Sequence, residues 1–282
     1  MAVHWYQNSG DLGNCIAIDS LGDCYYRGNG FEKNYKEAVN WYRKSADLGY
    51  HYAMYKLGSC YFHGQGVELD YKMAVFWYEK SANLDNSYAM YRLGNCYFYG
   101  HGIGKDLKMA VDWYMKSVDL DNCFAMANLA NCYFDGHGIN QDLFMAIFWL
   151  EKSANLGNPA AMNTLGHCYF HGKGIDQDYK MAVYWYNKSA DAGNSEAMCS
   201  LGYCYINGLG VKQVLETGVS FFKKSADLNY NIGANNLGDC YFDGLGIEQD
   251  SKMAIYWYKK AVDLGYTPAM SKIAKYYCDI LD

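Results

Sequence analysis

The chain has 282 residues, is 51% apolar and carries a net charge of −6. That apolar share predicts a folded protein with a large core and not a disordered tail. The acidic balance argues against the clustered Lys and Arg of a nucleic-acid footprint and against an anionic membrane surface, and no apolar run approaches the ~20 residues that cross a bilayer.

The chain opens on Met1-Ala2-Val3, in register with Met73-Ala74-Val75, so it is expected to start inside the second helix of a pair. No basic region followed by an apolar stretch occurs there, so no secretory signal is expected. One interval then governs the sequence. Cys24, Cys60, Cys96, Cys132, Cys168, Cys204 and Cys240 are each 36 apart. Trp5, Trp41, Trp77, Trp113, Trp149, Trp185 and Trp257 keep that interval, with Phe221 in the gap, and so do Leu21 through Leu237, continued by Ile273. No insertion breaks the register, which predicts one uninterrupted solenoid over residues 1–282.

The unit starting at Tyr52 holds two helical patterns. In the first, Ala53, Met54, Leu57, Gly58 and Tyr61 share one face. It is expected to stop near Gly64, with Gly64 and Gly66 supplying the turn and Val67 anchoring it. Asp70 fits the N-cap of the second helix, a role repeated at Asp106, Asp142, Asp178 and Asp250. That helix presents Ala74, Val75, Trp77, Tyr78 and Ala82. The small residues Gly58, Ala74 and Ala82 allow close approach, and the aromatics fill the space between layers. Short polar links such as Leu84-Asp85-Asn86 make antiparallel hairpins that stack on their neighbours. At the far end, Ala269 to Tyr277 reads as a first helix without a second, giving about eight helix pairs with a half-repeat at each end.

The recurring unit LGxCYxxGxG[VI]xxDxxxAxxWYxKSAxLG resembles the Sel1-like repeat, a branch of the tetratricopeptide-type α-solenoids, over the whole chain. The resemblance implies an all-α, right-handed superhelix of helix pairs that serves as a scaffold or adaptor for other proteins. Two departures stand out. Cysteine-rich relatives carry two cysteines per repeat, whereas most repeats here carry one. Successive cysteines on stacked helices lie ~8–10 Å apart, beyond the ~7 Å a disulfide spans, so the series reads as reduced thiols in the cytoplasm or another reducing compartment. The unit from Val214 to Asn236 replaces the capping Asp by Val214, a helical Ala by Gly218, Trp by Phe221, and Ala-Met by Gly233-Ala234. Gly218 alone costs ~1 kcal/mol of helix stability. Repeat drift accounts for these changes, with a hinge as the alternative.

On a helical wheel the arc opposite the core holds Tyr55, Lys56, Ser59 and His63, and by the same resemblance it lines the concave groove. One row of that groove is Arg27, His63, Tyr99, Asp135, His171, Asn207 and Asp243. A second is Asp23, Ser59, Asn95, Asn131, His167, Tyr203 and Asp239. A third is Asp19, Tyr55, Tyr91, Ala127, Asn163, Cys199 and Asn235. Asn bonds peptide backbone and Tyr offers a broad face with a polar tip, which suits an extended protein or peptide segment. Asp239 and Asp243 make a basic or neutral segment the expected ligand. Solvated surface or contact with another copy are the plainer readings of these rows.

Catalytic and metal readings are weaker. His167 and His171 sit at i, i+4, a spacing that places two imidazoles on one metal, with Asp135 one repeat earlier, but no HExxH motif accompanies them. The GxG pairs lack the GK[ST] ending of a phosphate loop. A thiol nucleophile at Cys60 beside His63 would recur seven times, with no fixed base in evidence. The expectation is therefore a binding scaffold without enzymatic activity, cofactor or metal. A hydrolase related to cysteine-rich relatives, or a self-associating structural protein, remains as the alternative.

Overall fold

The computed structural model describes residues 6, 7, 9, 10 and 12–281, with side chains as far as residue 275. The expected opening half-helix at Met1-Ala2-Val3 and Trp5 lies outside the described residues. Fifteen α-helices of 12 or 13 residues follow one another, with no strand among the described residues. The chain divides into two compact units, residues 1–142 and 143–282.

The first unit holds α1 (Cys15–Arg27), α2 (Tyr35–Asp47), α3 (His51–His63), α4 (Tyr71–Ala82), α5 (Ser87–Tyr99), α6 (Leu107–Val118) and α7 (Cys123–Asp135). The second holds α8 (Leu143–Asn155), α9 (Pro159–His171), α10 (Tyr179–Asp191), α11 (Ser195–Asn207), α12 (Leu215–Asp227), α13 (Asn231–Asp243), α14 (Ser251–Asp263) and α15 (Ala269–Leu281). Odd-numbered helices are the first of each pair, even-numbered the second, and α15 closes the series as a first helix.

Each pair is punctuated as its sequence dictates. In α3 the chain turns at Gly64, which is left-handed at φ 66° and donates its N–H to the Cys60 carbonyl. The Asp70 N–H returns to the Tyr61 carbonyl at 3.0 Å, and the Asp70 carboxylate caps α4 by accepting from the Lys72 and Met73 N–H groups. Asp106, Asp178 and Asp250 cap in the same way. Val214 offers no side-chain cap to α12. The first helices have caps of their own that the sequence reading passed over: Asn14, Asn86, Asn122, Asn158 and Asn194 each accept from the opening N–H groups of the helix that follows.

Two further devices hold a pair together. The serine of the KSA motif is fully buried and donates to the carbonyl at the start of the preceding first helix, as Ser81 does to His51 at 2.6 Å and Ser189 to Pro159 at 2.7 Å. The buried tyrosine after the Trp register lies flat on the glycine of the first helix. A Cβ added at Gly58 would meet the Tyr78 ring at 2.7 Å, and one at Gly94 would meet Tyr114 at 2.6 Å. In the repeat where Ala130 stands at the glycine register, Leu150 stands at the tyrosine register. The drifted repeat obeys the same logic, because Ile206 fills the space above Gly218, 2.7 Å from where its Cβ would be.

The ten cysteines with described side chains carry free thiols, and seven of them are buried. Burial pushes Cys60 and Cys96 up to about 12, and both pack in the core as small apolar residues.

Candidate partner-binding face

The three predicted rows fare differently. Arg27, His63, Tyr99, Asp135, His171, Asn207 and Asp243 end their helices just before the left-handed glycine, and all are exposed. Tyr99 is 63% exposed.

The second row is only half free, because the buried tyrosine nineteen residues on claims it. Tyr42 donates to Asp23 at 2.8 Å, Tyr78 to Ser59 at 3.3 Å, Tyr114 to Asn95 at 2.7 Å and Tyr258 to Asp239 at 2.7 Å. Tyr186 meets His167 Nδ1 at 2.9 Å. Where the tyrosine register holds Leu150 or Phe222, without a hydroxyl, the row carries Asn131 and Tyr203, both exposed. Variation along this row therefore tracks core hydrogen bonding as well as freedom from it.

The third row corrects the wheel reading. Asp19, Asn163, Cys199 and Asn235 are buried, and Tyr55 and Tyr91 are half-buried. Asn163 is thus not an open groove residue. The next first helix covers this row, and residues 37 positions on reach back to it: Lys56 to Asp19 at 2.8 Å, Asn236 to the Cys199 sulfur at 3.5 Å, Lys272 to Asn235 at 3.0 Å. Helical side chains lean toward the N-terminus, so the open face is rotated one turn back from the wheel's arc. It gains a register the wheel reading missed, in which Ile16, Tyr52, Tyr88 and Phe124 in the first unit and Glu196 and Ile232 in the second are exposed. A recurrence of large apolar residues at 36-residue steps outside the core set was the available signal.

In the second unit this face sinks into a cleft of about 400 Å³ between α9, α11 and α13. Phe170, Tyr203, Tyr230 and Ile232 make its apolar walls, and His167, His171, Glu196 and Asn236 its polar ones. His167 and His171 rings are nearly parallel, 6.3 Å apart. The His167 Nε2 stands 3.4 Å from Glu196 Oε1 while Nδ1 meets the Tyr186 hydroxyl. The His167 imidazole beside it holds the Glu196 carboxyl below its ordinary value. Burial raises the Tyr186 hydroxyl well above its ordinary value and takes Cys199 up to about 12. The Glu196–His167–Tyr186 row therefore ends on a hydroxyl that burial holds in its protonated form. Among the described residues no group of three His, Cys, Asp or Glu side chains is placed to hold a metal ion.

In the first unit a smaller cleft of about 280 Å³ lies along α1, α3 and α5. Asp23, Arg27, Lys56, His63 and Arg92 give it a mostly cationic lining. No helix of the described residues is long and apolar enough to cross a membrane.

Helix pairs of constant length, stacked through buried Leu, Ala and Tyr registers and presenting one polar–aromatic face, define an α-solenoid repeat protein. Its family follows from the sequence of the unit: a Sel1 repeat model matches residues 1–14, 16–50, 51–86, 87–122, 123–158, 159–194, 195–230 and 232–266, and the chain belongs to the Sel1 repeat family. The structure is similar to that of a protective antigen of uropathogenic Escherichia coli displaying an SLR fold, with 30% identity and a TM-score of 0.79 over 98% of this chain. This chain spans 59% of that protein's length. It is also similar to a Sel1 repeat protein from Oxalobacter formigenes, with 27% identity and a TM-score of 0.75, covering 99% of this chain and 80% of that one. An immunity protein of Pseudomonas aeruginosa, 21% identical with a TM-score of 0.52 over 78% of this chain and 83% of its own, shares the fold. No curated protein sequence matches the chain. Sel1 repeat proteins are in general protein-interaction scaffolds, and the family is typically non-catalytic.

Proposed function

We propose that this chain is a protein-binding scaffold, and that the open face of the first helices in the second unit takes an extended segment of its partner. The cleft between α9, α11 and α13 carries the reading. It is large enough for side chains, walled by exposed Tyr203 (49%) and Ile232 (37%), and edged by His171 and Glu196, whose polar atoms can meet a peptide backbone. Raised hydroxyl and thiol values in the same cleft favour binding over catalysis.

Selection of a randomised displayed peptide library on the immobilised protein tests this. Peptides enriched on the wild type are expected to bind a Tyr203→Ala, Ile232→Ser variant at least about ten-fold more weakly, while its melting temperature holds. Equal binding to the variant, or no enrichment over an unrelated helical control, would overturn the reading.

A further inference from the structure

The first helices carry a register that the wheel reading did not follow as a row: Lys56, Arg92 and Asn128 in the first unit, and Lys272 in the second. Positions 33 and 37 back on the preceding first helix face this register, and Lys56 and Lys272 reach both. Lys56 is neutralised there, 2.8 Å from both Asp19 and Asp23. Lys272 meets Asn235 at 3.0 Å and Asp239 at 2.6 Å. Asn128, uncharged, needs only an amide and donates to Asn95 at 2.8 Å.

Arg92 breaks the pattern. At the same two offsets it faces Tyr55 and Ser59, which carry no charge. Its guanidinium is half-buried, hydrogen-bonded to Tyr55 and 5.6 Å from the centre of the Tyr91 ring, while its Nε is buried without a hydrogen-bond partner. Among the described residues no carboxylate pairs with it. An arginine partly removed from water without a counter-ion is costly, and a ring face offsets only part of that cost. It opens into the first-unit cleft, beside Arg27 and His63, with Asp23 already committed to Lys56 and Tyr42. Burial first, and then the Arg92 charge, hold His63 below its ordinary value.

The geometry points to a carboxylate-binding site at Arg92 between α3 and α5, which takes a glutamate or aspartate side chain of a bound peptide. It rests on the scaffold reading and adds to it a second anchoring point of opposite charge preference to the acidic groups of the second unit. The planar guanidinium fork matches a carboxylate in two parallel hydrogen bonds, and a single uncompensated charge matches a monoanion.

The probe is N-acetylglutamate N-methylamide, with its glutamine counterpart at equal ionic strength, titrated into protein labelled for observation of arginine Nε–Hε and histidine signals. The glutamate compound is expected to shift Arg92 and His63 saturably, to raise the His63 titration midpoint, and to leave the glutamine titration flat. Arg92→Gln is expected to weaken the response at least about ten-fold. Ser59→Asp supplies the carboxylate that Asp23 and Asp239 supply at this register, so it is expected to raise the melting temperature and abolish the response. Indistinguishable shifts from the two compounds, or a full glutamate response in Arg92→Gln or Ser59→Asp, would overturn the assignment. Because the probe is a small molecule, its outcome is separate from peptide selection: a saturable probe without enriched peptides defeats the scaffold reading, and enriched peptides without a probe response defeat this one.

Discussion

Gly94→Ala sets helix propensity against packing, and the structure decides the sign. Alanine in a helix interior is favoured over glycine by up to ~1 kcal/mol. The new Cβ, however, would lie 2.6 Å from two atoms of the Tyr114 ring and 3.2 Å from the Ala110 carbonyl oxygen. The ring has no room to retreat: Tyr114 is 1% exposed and its hydroxyl is tied to Asn95 at 2.7 Å. Overpacking of this kind costs about 1–3 kcal/mol, leaving, against the full helix gain, a net loss of up to about 2 kcal/mol and a fall in Tm of up to roughly 8 °C. Tyr114→Leu alone leaves a cavity and costs about 2–4 kcal/mol. The double variant copies the residue types that the sequence carries at these two registers in Ala130 and Leu150, so it is expected to recover about 1–2 kcal/mol relative to the sum of the singles. Thermal and urea melts of the four proteins measure this cycle. A rise in Tm for Gly94→Ala, or strict additivity in the double variant, would refute the packing argument.

Two other outcomes follow from the register. Burial raises the Asp19 carboxyl above its ordinary value, outweighing the Lys56 charge, so ionised Asp19 costs stability at neutral pH, and that cost disappears as pH falls through the folded value toward the unfolded one. Asp19→Asn, which copies Asn235 at the equivalent place, is expected to melt no lower than wild type at pH 7, with any advantage vanishing near pH 4; a Tm loss at pH 7 that persists at pH 4 would show that the carboxylate is needed. Native alkylation followed by peptide mapping is expected to modify half-buried Cys15 and Cys123 at least about ten times faster than buried Cys60, Cys96, Cys132, Cys168, Cys204 and Cys240; comparable rates would mean the helix pairs open readily.

The solenoid was legible because its signals are local and repeated. Leu57 at the core, Gly64 at the turn and Asp70 at the cap each act within a few residues, and 36-residue repetition averages away drift. The face was read less well because its determinants lie in other helices. Nothing adjacent to Asn95 shows that Tyr114 will use it, and nothing adjacent to Asn163 shows that the next first helix will cover it. Both facts become readable once offsets of 19, 33 and 37 are compared between repeats. The same comparison exposes Arg92, whose lack of a carboxylate is visible only against Lys56 and Lys272. The Asn caps were readable from the start, since Asn86, Asn122, Asn158 and Asn194 recur directly before the first-helix pattern.

The central claim is that partners are held on the first-helix face. Hydrogen exchange of the wild-type chain with and without a saturating selected peptide tests it most directly. The account predicts slowed exchange in α9, α11 and α13, with α10, α12 and α14 unchanged. Protection confined to α10, α12 and α14, on the side where Tyr184 and Tyr256 are exposed, would contradict it.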